Sequence, residues 1–314
     1  MERQSVSIRF IYHSGTVKTV YRIIKAVFTK DYYSPCTELS AKAYADDAVS
    51  ITPSDIRRVE FYIGSQLLHN GLPDTVTVRR QGTATIVSVV SRGVTVALCQ
   101  SEPEPGIWSR ADLDDCLRRS GASSEITCES GTITTNYVNI AEGSTSWEAI
   151  SAYALKAYSS YPYIRSASEI MVTRSTEHKV ISAPRILSID RALNTKNLLS
   201  ALYMQDLSGD YTTTASDSYA DSLGIVREKY LPLDQQWLHD EQQGLNMRLA
   251  YSKRASREYR LTYVGYNGED LTDTAHITDL GSLSTTFEVS AIRIEVSALG
   301  IITTLSHYTD GFFE

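Results

Sequence analysis

The sequence predicts a mainly β fold that carries an α/β insert, and three observations support this. Apolar and polar residues alternate with period two in the first hundred residues and again from Pro184 onward, as they do in half-buried strands. Gln81-Gly82 and Asn267-Gly268 place tight turns between or beside such runs. Between the two β-rich ends, helix-capping patterns and helical spacing mark residues 105–183 as a compact α/β unit.

Each element can be justified in chain order. Ser5 to Tyr12 alternates, with Val6, Ile8, Phe10 and Tyr12 on one face. Thr75–Arg79 and Thr83–Ser91 are rich in Val, Ile and Thr and read as a hairpin about Gln81-Gly82. Gly93 punctuates, and Val94 to Leu98 reads as one more strand. Many short strands with turns between them favour a barrel or sandwich for residues 1–104. Composition shifts at Glu102-Pro103-Glu104-Pro105-Gly106, a boundary. A helix is then expected from Ser109 to Ser120. Ser109 with Asp112 caps its start, Leu113, Cys116 and Leu117 mark one face, and Gly121 stops it. A strand at Ser124–Glu129 leads to a second helix, where Thr145 caps and Glu148 reaches back. Trp147, Ile150, Ala154, Ala157 and Tyr158 follow at helical spacing, Pro162 ends the helix, and Glu169–Thr173 is the next strand. In residues 184–314 Tyr259, Leu261 and Tyr263 alternate, and Ile292, Ile294, Val296 and Ala298 give a strand buried on one face. Asp240 to Ser256 reads as a helix, weakened by Gly244.

Composition narrows the function. A chain of 314 residues is long enough for two or three packed units. Hydrophobic residues at 42% and charged residues at 21% sit at the globular norm and argue against wholesale disorder. Thirty Lys and Arg against 37 Asp and Glu give a net charge of −7, which argues against specific nucleic-acid binding. Twenty Tyr against 6 Phe suit half-buried strands, with a Tyr-rich binding face as the alternative. Cys36, Cys99, Cys116 and Cys128 show no CxxC spacing, so reduced thiols are expected. Met1-Glu2-Arg3-Gln4 leads into alternation, not into an apolar signal segment, and no run approaches the ~18 apolar residues of a membrane span. A soluble protein without membrane insertion is expected.

The residues that carry chemistry form no recognisable constellation. The six histidines are scattered, with no i,i+4 pair and no HExxH. There is no GxSxG elbow, P-loop or GxGxxG. Asp112, Asp114 and Asp115 suit the positive end of a helix better than a metal. Asp206-Leu207-Ser208-Gly209-Asp210 lacks the length and closing Glu of a calcium loop and reads as a hairpin turn. A Ser or Cys triad stays open, because its members converge only in space. No catalytic, cofactor-binding or metal residue is nominated.

One stretch is more distinctive. Asp217 or Asp221, Ser222, Gly224, Arg227 and Glu228 resemble the run Asp-x-x-Ser-x-x-x-Tyr-Gly-x-Arg-Glu found in the second half of phage tail baseplate hub proteins. That group includes the late-control D proteins and the hub part of type VI secretion spikes. The chain departs from the run in having Leu223 for the Tyr and an extra residue, Val226, before Arg227. The expected geometry is a helical turn ended by Gly224, with Arg227 and Glu228 fixing the junction by ion pairing. Glu142 to Ile150, with Trp147, is similar to the helix start of the family's small inserted domain. Pro162-Tyr163-Ile164-Arg165 resembles its return strand, and Ile186 to Asp190 with Asn197 to Leu199 the opening of its second barrel. Leu231 to Trp237 and Tyr263 to Asp270 look like stretches of prophage members. These matches span roughly residues 142–270.

The resemblance implies two small β-barrel-like domains of the tail hub type, 1–104 and 184–314, around the insert 105–183, with the chain free to interleave between barrels. It implies a non-catalytic homotrimer whose ring joins a tail tube or distal tail protein to a spike or fibre, with six barrels meeting a six-fold tube. The protein would be made in the bacterial cytoplasm and end in the virion tail baseplate. A tail-associated glycan-binding module and a cell-wall hydrolase are the alternatives. For contact with a neighbour the candidates are Tyr32, Tyr33, Leu231 and Trp237, each with core packing as the competing reading.

Overall fold

The computed structural model describes residues 4–45, 51–182, 185–278, 285–310 and 312. The expected boundary at residues 183 and 184 lies outside the described residues, as do Met1 to Arg3.

Seven strands open the chain: β1 (Val6–Tyr12), β2 (Val17–Val20), β3 (Arg22–Asp31), β4 (Glu38–Ala45), β5 (Ile56–Ile63), β6 (Gln66–Gln81) and β7 (Ala84–Gly93). Strict alternation of exposed and buried residues along β4 shows why they form: one face is apolar and is taken into the core. The insert follows as α1 (Ala97–Gln100), β8 (Gly106–Ser109), α2 (Leu113–Arg119), β9 (Thr127–Cys128), β10 (Tyr137–Ile140), α3 (Ser146–Tyr158), β11 (Tyr163–Arg165) and β12 (Glu169–Met171). After β13 (His178–Ser182) and β14 (Ile186–Leu193) a lobe emerges, made of β15 (Ala201–Met204), β16 (Thr213–Ser216), α4 (Ser218–Ser222), β17 (Glu228–Leu231) and α5 (Glu241–Ser252). The chain closes with β18 (Arg257–Val264), β19 (Thr274–Thr278), β20 (Thr285–Glu288), β21 (Ala291–Ser297) and β22 (Gly300–Tyr308).

Strands from both ends of the chain share one curled, eleven-stranded sheet, in the order β14-β18-β22-β21-β3-β4-β7-β6-β5-β1-β2. The seam is β21 against β3, where Ile294 faces Phe28 in antiparallel register. A single core runs beneath it, from Ile8, Phe10 and Phe61 through Phe28 to Leu261, Ile294 and Leu305. The insert has its own core around Trp108, Leu113, Ile150 and Tyr153. The lobe has a small one of Leu202, Met204, Leu245 and Leu249. Among the described residues no helix is long and apolar enough to cross a membrane.

Several local expectations need correcting. Val94–Leu98 is not a strand: Val94–Val96 form a 3-10 turn that runs into α1. All of Val94, Thr95, Val96 and Leu98 are buried, and a short apolar run of that kind does not distinguish a buried strand from a buried turn of helix. Ser109 ends β8, paired with Tyr137, so the first helix begins later and its cap is Asp112, whose carboxylate accepts from Asp115 N at 2.9 Å. Ser124–Glu129 shrinks to the two residues of β9, which pair in parallel with β12. The second helix follows its expected start: Thr145 and Glu148 form a full capping box. It stops at Ser159, in a left-handed conformation at φ 52°, before Pro162 is reached.

Candidate assembly surface

The hub-like run organises the lobe. Asp217 is buried and caps α4, accepting from Tyr219 N at 3.1 Å, and it pairs with Lys253 Nζ at 2.9 Å just beyond α5. Gly224 sits at φ +70°, a conformation side chains resist, and turns the chain back toward β17. Arg227 does not form the expected ion pair with Glu228. Its guanidinium donates to the carbonyls of Thr195 and Lys196 at 2.6 and 2.8 Å, and Ser200 Oγ donates to Arg227 O. A planar fork of donors suits a cluster of carbonyls at a chain crossing, and this fixes β17 beside β15. Glu228 itself is exposed.

Trp237 is buried against Gly244 of α5, so its side chain offers no exposed face to a neighbour. Gly244 explains how it fits: a Cβ there would lie 2.5 Å from Trp237 Cγ. The glycine that weakened the helix prediction is the contact on which α5 rests. Asp240 caps that helix, accepting from Gln243 N at 3.3 Å.

Tyr32 is also wholly buried, stacked on Tyr163 with centroids 5.3 Å apart, its hydroxyl bonded to Ser160 Oγ at 2.7 Å. That geometry removes it as a contact residue. Tyr33 is half-buried and stacks on Tyr308 (6.1 Å), with Tyr161, Tyr251 and Phe312 around it. Through Tyr251 of α5 this cluster ties the lobe to the main sheet. Trp147 packs at the edge of the insert core.

Leu231 remains as a candidate. It is half-buried and lines a groove of about 470 Å³ between β17 and the C-terminal half of α5. Sequence reasoning missed the rest of the lining: Lys196, Arg227, Lys229, Arg248 and Arg254 are spread over 59 positions of sequence and form no local charge run. A second exposed feature lies on the lobe's sheet. Tyr203 and Tyr230 stack at 4.6 Å, with Tyr211 edge-on at 5.2 Å, and Tyr230 is 58% exposed.

Two buried polar sites look chemical and prove structural. His69 lies fully buried between Thr37 Oγ1 (2.8 Å) and Ser91 Oγ (2.9 Å). Ser91 donates its proton to Leu72 O at 2.9 Å, so the imidazole must donate through Nε2 and accept at Nδ1. That is the reverse of a serine–base pair, in which the hydroxyl donates to the imidazole. Burial pulls the His69 pKa down to about 3 and keeps the ring neutral. The other site is Lys30, whose ammonium is buried against the Asp270 carboxylate and bonded to Ser166 O at 2.7 Å. Burial lowers its pKa, and Asp270 opposes that shift. Arg165 meets the buried Asp273 at 3.0 Å beside it. This network locks β3, the end of the insert and the 265–273 loop together. Free cysteines complete the picture, with burial pushing Cys36 and Cys116 up to about 12.

Comparison with known proteins agrees with this architecture. No protein-family model matches the chain, and no curated protein matches it by sequence. Solved structures do. The tail protein of Neisseria meningitidis MC58 superposes at a TM-score of 0.75 with 15% identity, over 99% of this chain and 98% of that one. The 43 kDa tail protein of prophage MuSo2 from Shewanella oneidensis gives 0.72 and 13%, over 99% and 100%. A chain of the Francisella PdpA-VgrG complex gives 0.59 and 9%, over 98% of this chain and 58% of that one. At such identities the likeness lies in the fold: the chain has the mainly β fold of phage and prophage tail proteins, end to end.

Proposed function

We propose that this chain is a structural hub protomer of a phage, prophage or phage-like tail baseplate. Three copies form a ring that joins the tail tube, or a distal tail protein, to a spike or fibre. The observation that carries the reading is the full-length likeness to two tail proteins, including the single sheet that runs through both β-rich ends. The spike side is supported by the neighbour solved as part of a PdpA-VgrG complex. The role is non-catalytic, in keeping with a Ser91–His69 pair wired for structure. The protein is made in the bacterial cytoplasm and taken into the tail. Its acidic balance suits a channel that a polyanion passes without being held.

The mass in solution tests this. Light scattering at high concentration should give three times the 34.9 kDa protomer mass for the chain alone, or a complex holding three protomers once the tube partner is added. A monomer under both conditions overturns the ring. A glycan-binding module is the second reading, favoured by the exposed Tyr203–Tyr230 stack. It requires saturable binding to cell-surface polysaccharide that Tyr230→Ala abolishes.

A further inference from the structure

In the lobe, β17 is one edge of the three-stranded sheet β16-β15-β17, the edge away from α5, which packs onto β16 and β15. Lys229 and Leu231 on β17 therefore stand beside the helix, not beneath it, and the groove opens between them. Its apolar floor is the half-buried Leu199 and Leu231, set over the buried Leu198 and Leu202, and its rim carries five cations with no carboxylate among the lining residues. This contrasts with the whole chain, whose net charge is −7. Arg227 is occupied by backbone carbonyls, and Arg254 by the carbonyl and ring of Tyr251. Arg248 pairs with Asp234. Lys196 and Lys229 are exposed and make no ion pair among the described residues.

We propose that this groove binds an acidic, aliphatic segment of a partner protein, laid in extended form along the open edge of β17. The free edge offers the backbone groups that an added strand needs. In an extended segment alternate side chains would face the groove, so carboxylates reach the rim while aliphatic groups cover the leucines. A nucleic acid would use the cations and leave the leucine floor unfilled, and the acidic chain repels it at longer range. The proposal adds to the hub reading the chemistry of what docks on the lobe, and it holds for the protomer whether or not the ring forms.

The test is an array of random decapeptides probed with the labelled full-length protein. Bound peptides should be enriched in Asp and Glu together with Leu, Ile and Val. The affinity of the best binder should fall at least tenfold in a Lys196→Glu, Lys229→Glu double variant with unchanged circular dichroism. Both side chains are exposed, so the variant should fold. Failure to return binders, binders without acidic enrichment, or full retention of binding by the double variant would each overturn the proposal. So would a single-stranded oligonucleotide that binds as tightly as the best peptide. Because the readout is made on the protomer, none of these outcomes bears on ring formation.

Discussion

At the junction of β3, the insert and the 265–273 loop, charge is closed off. Lys30 meets Asp270 and Ser166, Arg165 meets Asp273, and every partner is supplied by the same chain. In the groove beside β17 five cations line a surface that carries no carboxylate of its own; Arg248 reaches out of it to Asp234, and Lys196 and Lys229 have no ion pair among the described residues. Both places bring together residues far apart in sequence, yet they differ in solvent. A charge inside the frame must be paired, because leaving it unpaired there costs several kcal/mol; at the rim of the lobe water keeps the cations solvated until a partner arrives. The frame is therefore built to stay shut, and the lobe to receive.

The largest effect is expected at the junction. Asp270→Ala leaves the Lys30 ammonium without its carboxylate and should cost about 3–5 kcal/mol by urea unfolding. The double change Lys30→Met with Asp270→Leu should recover most of that loss, since it removes the stranded charge. Next comes Gly244→Ala, whose Cβ would collide with Trp237; about 1–3 kcal/mol is expected from overpacking. Hydrogen exchange should place the loss in the lobe and spare β3 and β21.

A comparable shift should come with pH. His69 is held at about 3 when folded, against an ordinary 6.5, so between those values the unfolded chain binds a proton that the folded one excludes. Its contribution is complete above pH 6.5 and is lost as pH falls toward 3. About 2 kcal/mol should disappear between pH 8 and pH 5, and His69→Gln should remove that dependence. Smallest of all, Lys229→Glu should change stability by no more than about 0.5 kcal/mol, even though it lies in the groove. A large loss from Lys229→Glu would erase the contrast between frame and lobe.

The sequence was most legible where the signal is local. Thr145 and Glu148 announced a capping box, and Gln81-Gly82 a hairpin, because each needs only neighbours a few residues away. The alternation of Ile292, Ile294 and Val296 identified a strand, but nothing in it said that the partner would be β3, some 265 residues earlier. Two of the aromatic contact candidates, Tyr32 and Trp237, proved buried, and the sequence could not show it for the same reason. Tyr32 and Trp237 look alike on the page whether they face a neighbour or Tyr163 and Gly244, and only the fold decides. Gly244 itself was misread, since propensity counts its cost in the helix and is blind to the indole packed against it. The groove was invisible because its cations come from three separate stretches, 196, 227–229 and 248–254, which the lobe's parallel pairing of β15 and β17 brings together.

The central claim is the ring, and electron microscopy of negatively stained protein at high concentration, with the tube partner added in a parallel sample, addresses it most directly. The account predicts three-fold particles with a central hole. Compact single protomers in both samples, or rings of another symmetry, would contradict it.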